Sequence, residues 1–350
     1  MDKNTAFNLN LQLFAKNETT VSPALTQKAW AKQAWSMAKR DTTISNFVGK
    51  SDENIVQLDD TMKKEDGDQI TFSLRMPLTG DGTEGDDVLE GKEEALEYHD
   101  FKVTINQLRK GTRLKGKMEE KKTSLKLRTD ARTALKDWFA EKIESMYFDA
   151  LNADPSPRRI VYPAGITAIS SITASHTMSC AIIEKTKRKA KKRIVYTDDK
   201  GVTHIIPKIR PILVNGKKMY VMILTEEQMR DLRSDPVWVA AQSQANTRGE
   251  DNPLFSGSEG IWSGVVLFTN DNVEVKSVGN AGADVGHALF LGAQAACFAV
   301  GSEPEWEEDT FDYKNKVGFE MGQIFGIAKS VFDGEDLAVL HVYTASIEDN

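Results

Sequence analysis

The apolar positions of this chain change period from one segment to the next. Between Lys117 and Asn152 no Gly or Pro occurs and good helix formers dominate. In the second half of that stretch Leu135, Trp138, Phe139, Ile143, Met146, Tyr147 and Ala150 recur at i, i+3 and i+4, one apolar face of a helix. Asn152-Ala153-Asp154-Pro155-Ser156-Pro157 ends it, since proline cannot continue the ladder. Such a helix is about 54 Å long at 1.5 Å per residue. A coiled coil fails on register. A heptad begun at Met118 puts Leu125, Phe139 and Met146 on the seam, but also Lys121, Arg128, Arg132, Lys142 and Asp149. The pattern predicts a single spine lying across a sheet, continuous over Ser124 to Leu151, with Leu135, Phe139 and Met146 buried.

Elsewhere the period is two. Leu9, Leu11 and Leu13, just before Phe14, alternate with Asn and Gln, as in an extended strand. At a chain end this is an edge strand of its own domain or, on the sharper reading, an arm added to a neighbouring subunit. Ser22-Pro23 predicts a helix start, running to about Lys39. Gln69–Arg75 alternates as a strand, and so do Phe101, Val103 and Ile105. The connection between them, Pro77 to about Glu97, is overlong for a hairpin. It holds eight Asp and Glu, Glu90, Glu93 and Glu94 among them, against Lys92 alone. A calcium loop begun at Asp81 would put Asp86 where Gly is required and Lys92 where Glu is required. The expectation is a solvated acidic tip, to which a partner rich in Lys and Arg is the natural complement.

After the spine, a helix is predicted from about Thr177 to Lys192, ending in the basic run at 185–193. Cations belong at a helix C-terminus, and no aromatics are interleaved to stack bases. Val195 to Ile206 predicts a hairpin, and Asn215-Gly216 a turn into a strand at Met219–Leu224. Thr225 with Gln228 predicts a capping box, and Asp235-Pro236 the junction to a second helix through Trp238 to Ala245. Val265–Phe268 reads as a strand, Ala288–Val300 as an apolar helix, Phe311 to Met321 as one strand, and Leu337–Tyr343 as the last.

Composition narrows the function classes. The chain has 350 residues, 40% hydrophobic and 28% charged, enough for one large or two modest domains. A net charge of −7 argues against a protein built to coat nucleic acid. Cys180 and Cys297 fit a reducing compartment or core packing and allow one disulfide. No apolar run is long enough for a membrane helix, and no signal peptide is expected. His176 and Cys180, four apart, lack a second pair for zinc. No P-loop, GxSxG, CxxC or HExxH occurs, and Gly279 to Gly292 is not a dinucleotide fingerprint. Nothing nominates a catalytic, cofactor or metal site.

Several short stretches carry a resemblance together. They are Asn10 to Ala15; Leu89-Glu90-Gly91-Lys92-Glu93-Glu94; Arg128 to Leu151; Asp231 to Pro236 with Trp238; Asn252-Pro253-Leu254-Phe255 with Gly257; Leu291 to Ala295; and Phe332-Asp333-Gly334-Glu335-Asp336-Leu337. In order and spacing they resemble tailed-phage major capsid proteins of the N4-like coat family, phage-capsid-like proteins of the Hong Kong 97-type fold. The resemblance implies an α+β fold. Residues 1–50 would be an N-terminal arm and helix, and 51–116 an extension-loop hairpin overlapping an adjacent subunit. Residues 117–175 would be the peripheral domain with its spine helix, 176–300 the axial domain, and 301–350 strands returning to the peripheral sheet. It implies a structural protein, not an enzyme, forming hexamers and pentamers of an icosahedral shell around double-stranded DNA, assembled in the host cytoplasm. Expected partners are other copies of the chain, scaffolding, portal and decoration proteins, and DNA by weak non-specific contact, with no membrane and no cofactor. Glu90, Glu93, Glu94, Leu9, Leu11, Leu13 and Phe14 are the expected interface residues. An encapsulin-like compartment shares the fold, and a nucleic-acid binder using 185–193 is the alternative from another class.

Overall fold

The computed structural model describes residues 43–64, 67–75, 82–85, 87–91, 93, 98–122, 126–198, 201, 203–214, 216–244 and 259–348. The N-terminal arm, with Leu9, Leu11, Leu13 and Phe14, and the helix expected after Ser22 lie outside the described residues, as does Glu94.

Two sheets carry the fold. One has six strands and is built around Lys316–Lys329, which pairs antiparallel with Asn106–Arg113, with Glu305–Phe311 and with Ala296–Val300. The other has eight and is built around Lys217–Leu224, Val285–Leu291 and Val339–Ala345. Each residue of Val285–Leu291, Ala296–Val300 and Val339–Ala345 is buried. These strands are covered on both faces, so they read as unbroken apolar runs without alternation.

That burial corrects the helix expected over Ala288–Val300. The segment is two strands, each in a different sheet, joined through Gly292 to Ala295. An unbroken apolar run carries no period to separate buried strand from buried helix. The break is set by Gln294, with φ at 58°, and by Gly292, where a Cβ would sit 2.5 Å from the Arg210 carbonyl oxygen. The single strand expected from Phe311 to Met321 is a hairpin. Asp312, Tyr313 and Lys314 take φ of 55°, 50° and 65° and reverse the chain. The strands expected to return together to the peripheral sheet divide instead: Lys316–Lys329 joins the six-stranded sheet and Val339–Ala345 the eight-stranded one.

The spine is also corrected. A short helix, Lys117–Lys122, precedes the main one, Leu127–Asn152, and Lys126 between them has φ −87° and ψ 69°, outside the helical region. The main helix lies across the six-stranded sheet. Leu135, Phe139, Ile143, Tyr147, Phe148 and Leu151 are buried, and Phe139 has no exposure. Met146 and Trp138 are partly buried at the edges of that face. The helix stops where expected, with Asp154 at φ 41° just before Pro155.

Candidate assembly site

The expected hairpin forms, with Phe72 paired to Phe101 and Arg75 to Tyr98. Its strands belong to the subunit's own core. Ile70, Phe72 and Val103 pack with Cys297 and Ala299, and Leu74 has no exposure. The acidic connection beyond Arg75 is another matter. Its described residues Glu84, Glu90 and Glu93 are exposed, and Val88 and Leu89 stand 66% and 55% exposed. Within it the Gly91 N–H donates to Glu93 Oε2 at 2.7 Å, a local contact that shapes the tip.

The six-stranded sheet has two unlike faces. Trp306, Phe319 and Met321 are buried toward the spine, where Lys110 lies 5.0 Å over the Trp138 ring and Arg128 5.7 Å over Phe319. On the other face Arg109 pairs with Glu320 through both nitrogen–oxygen contacts, and Arg113 lies 4.2 Å over Phe311. Gly111 and Gly318 keep that face low, leaving a groove of about 470 Å³ with Glu307 and Asp309 along one rim.

The helix Cys180–Ala190 lies within the expected limits and carries the basic run as far as Lys189, while Lys191, Lys192 and Arg193 follow its end. Three of its lysines bind the protein's own backbone: Lys185 Nζ donates to the Tyr162 carbonyl at 2.7 Å, Lys189 Nζ to Ile160 at 2.5 Å, and Lys187 to Ser263. These are clamps, and burial lowers the Lys189 ammonium from its ordinary pKa. Past the helix, Lys191, Lys192 and Arg193 form a continuous exposed cationic end. Asp235 holds the opposite end of the same helix: one carboxylate oxygen accepts from the Cys180 N–H at 2.8 Å and the other from Val237 N–H at 2.9 Å. A single Asp thus caps two helices.

His176 does not act with Cys180. Its Nδ1 accepts from the Thr173 N–H at 2.9 Å, and both Cys180 and Cys297 are buried free thiols. Burial pushes each thiol up to about 12, which leaves both in the unreactive form.

The sequence reading missed one constellation. Phe332-Asp333-Gly334-Glu335 is a tight turn, with Asp333 and Gly334 at φ 49° and 75°, and it delivers Asp336 to the interior. There Asp336 binds Lys329 Nζ at 2.6 Å and His341 Nε2 at 3.0 Å, and accepts from the Ser156 N–H at 2.9 Å. His341 Nδ1 lies 2.7 Å from His287 Nε2. With His341 Nε2–H donating to the carboxylate, His341 Nδ1 accepts from His287 Nε2–H. That leaves His287 Nδ1 a bare acceptor, 3.6 Å from Glu274 Oε2. Lys329 also donates to the Ala153 carbonyl at 2.5 Å, and the buried Arg159 to the carbonyls of Asp336, Pro207 and Leu337. The cluster therefore ties the C-terminal end of the spine to the last strand. Burial raises the Asp336 carboxyl, but the hydrogen bonds from His341, Lys329 and Ser156 outweigh it and hold it at about 2. Burial, with His341 and the cations Lys276 and Lys329, pushes His287 down to about 3. No spacing in the chain announces these partners.

A family model described as phage capsid protein matches residues 18–348. The major capsid protein of Pseudomonas phage KPP25 is 28% identical over 368 aligned positions, covering 91% of this chain and 94% of that one. The capsid of Ralstonia phage GP4 superposes with a TM-score of 0.74 at 29% identity, over 87% of this chain and 91% of that one. The cyanophage Pam1 capsid subunit shares the fold, with a TM-score of 0.72 at 20% identity over 89% and 93% of the two chains.

Proposed function

Since the chain belongs to the phage capsid protein family and has its Hong Kong 97-type α+β fold, we propose that its copies assemble as hexamers and pentamers into an icosahedral shell around double-stranded DNA. Its place is the virion capsid, and its role is structural. The observation that carries the finer reading is the acidic connection. It projects Val88 and Leu89 into solvent beyond strands anchored in the subunit's own core, a surface that favours a partner over water. Glu90, Glu93 and Glu94, with Leu9, Leu11, Leu13 and Phe14 of the N-terminal arm, are the interface residues. Each exposed ion pair contributes only about 0.2–1 kcal/mol, and repetition around a closed shell makes them collectively decisive.

Apart from Ala296–Val300, which belongs to the six-stranded sheet, residues 176–300 form the axial part around the symmetry centres, and the spine with that sheet forms the periphery. DNA is held by weak non-specific contact, for which Lys191, Lys192 and Arg193 are available. Scaffolding, portal and decoration proteins are the further partners, with assembly in the host cytoplasm. Electron microscopy and sedimentation of the expressed protein test this reading: closed shells are expected. A compact monomer under all assembly conditions, virion partners included, overturns it. Nuclease-protected nucleic acid inside the particles supports a DNA shell, whereas an enzyme cargo in its place identifies a compartment.

A further inference from the structure

The turn that delivers Asp336 to the interior is also gripped from outside. Phe332 meets the His99 ring with centroids 4.3 Å apart, and Glu335 pairs with Arg158 at 2.6 Å. Asp333 faces the hairpin formed by Ile194–Thr197 and Thr203–Ile206. That hairpin is thinly attached. Ile206 is buried at its base, whereas Val195 and Ile205, paired across the strands, stand 59% and 46% exposed. Nearer the tip, Tyr196 pairs with His204 and stacks on its ring at 5.0 Å, and Arg158 lies 3.6 Å over the Tyr196 ring. A hairpin with few buried apolar contacts opens locally at little cost. The polar contacts near its tip therefore decide how long it stays down.

His204 makes the contact that spans the two elements. Its Nδ1 lies 3.5 Å from Asp333 Oδ2 on the turn, and its Nε2 lies 3.4 Å from Asp198 Oδ2 on its own hairpin. Both neighbours are carboxylates, which accept and do not donate. A neutral imidazole has one N–H, so its other nitrogen would aim a lone pair at a carboxylate. The imidazolium donates from both nitrogens and fits the site as it stands. We infer that His204 is an acid-set latch: protonated, it bridges Asp198 and Asp333 and holds the hairpin on the turn, and loss of the proton releases it. The groups that face it are Asp198 and Tyr196 on the hairpin, Asp333 on the turn, and Arg158 with Glu335 beyond the Tyr196 ring. Arg158 opposes a second cation, but Glu335 offsets it, and the two aspartates decide the sign. Histidine is the side chain whose charge changes between about pH 5 and 8. The latch is thus closed in acid and lost as pH rises. This is the reverse of the interior, where His287 must stay neutral for the fold to hold. One drop in pH loosens the core and tightens this surface, whether or not the subunit is assembled.

Hydrogen exchange of the unassembled full chain, followed by mass spectrometry and corrected for the intrinsic pH dependence of exchange, tests it. Protection of the amides between residues 194 and 206 should rise at least about threefold from about pH 8 to about pH 5.5. Over the same interval, protection in Val285–Leu291 and Val339–Ala345 should not rise, which separates the latch from a general gain in stability. His204→Gln keeps a neutral polar side chain and should abolish the rise. His204→Arg supplies a permanent cation with several donors and should hold the hairpin at the acid level of protection at both pH values. Asp333→Asn should reduce the rise, because it removes the carboxylate on the turn. The parent profile decides even if a variant fails to fold: hairpin protection that is flat, or that falls in acid, overturns the latch. A rise that survives intact in His204→Gln overturns it also and assigns the response to another group.

Discussion

The acidic connection and the Asp336 cluster are both built from charge, and they follow opposite rules. On the connection the carboxylates are in water, separated and numerous. Any one of them is screened and replaceable. Around Asp336 the groups are buried, each is within hydrogen-bond distance of the next, and every partner is single. Outside, the number and sign of charges matter and positions are loose. Inside, geometry matters and each member is indispensable, because its loss strands a charge in a poorly solvated interior. Assembly contacts that must form and correct themselves suit the first regime, and the closure of the subunit's own fold suits the second.

The largest effect is expected at Asp336. Asp336→Ala leaves Lys329 buried without its carboxylate and should destabilise the unassembled subunit by about 3–5 kcal/mol in urea unfolding. Phe139→Ala, a purely apolar loss from a fully buried ring, should cost about as much, roughly 3–5 kcal/mol, and gives the scale. A loss under about 1 kcal/mol at Asp336, the ordinary surface range, would mean that the cluster is no lock.

Acid is the next probe. His287 sits near 3 in the folded chain against an ordinary 6.5, so between those values the unfolded chain binds a proton that the folded one refuses. Stability therefore falls as pH drops from about 6.5, by about 1.4 kcal/mol per unit for one such group. Asp336, at about 2 against 3.8, adds a loss of the same sign below that. The charged neighbours that face His287 are Glu274, Lys276, Lys329 and Asp336, together with His341. His287→Gln should flatten the upper part of the profile, and an unchanged slope would assign the acid sensitivity elsewhere.

Smaller effects sharpen the contrast. Lys189→Met removes a clamp on the Ile160 carbonyl and should cost about 1–3 kcal/mol, with little change in the salt dependence of DNA binding. Lys192→Gln should do the reverse. Smallest of all, Glu90→Gln should shift subunit stability by less than about 0.5 kcal/mol.

What the sequence disclosed follows the same division. The alternating strands of the hairpin, the spine face, and the capping box were legible because their causes are local. Gln228 N–H donates to Thr225 Oγ1, 3.1 Å away, and the Gln228 side-chain oxygen accepts from Thr225 N–H. The run Ala288–Val300 was misread because burial on both faces removes the period that distinguishes strand from helix. The break in the spine at Lys126 has no Gly or Pro to mark it. Lys185, Lys187 and Lys189 read as a charged helix end, while the carbonyls they hold come from segments far off in the chain. His287, Lys329, Asp336 and His341 come together only through the pairing of strands and the turn at Gly334.

The length and pairing of the strand Lys316–Lys329 have a mechanical consequence. One end pairs Gly318 with Arg113, and the other is fastened through Lys329 to the spine and Asp336. In the proposed shell, tension that pulls its two ends apart runs along its axis. The antiparallel ladders with Asn106–Arg113 and Ala296–Val300 then bear that tension in shear, many hydrogen bonds at once, and do not peel one rung at a time. Rupture under such loading is governed by the unfolding rate, so a subunit of modest equilibrium stability can still withstand outward pressure on a closed particle.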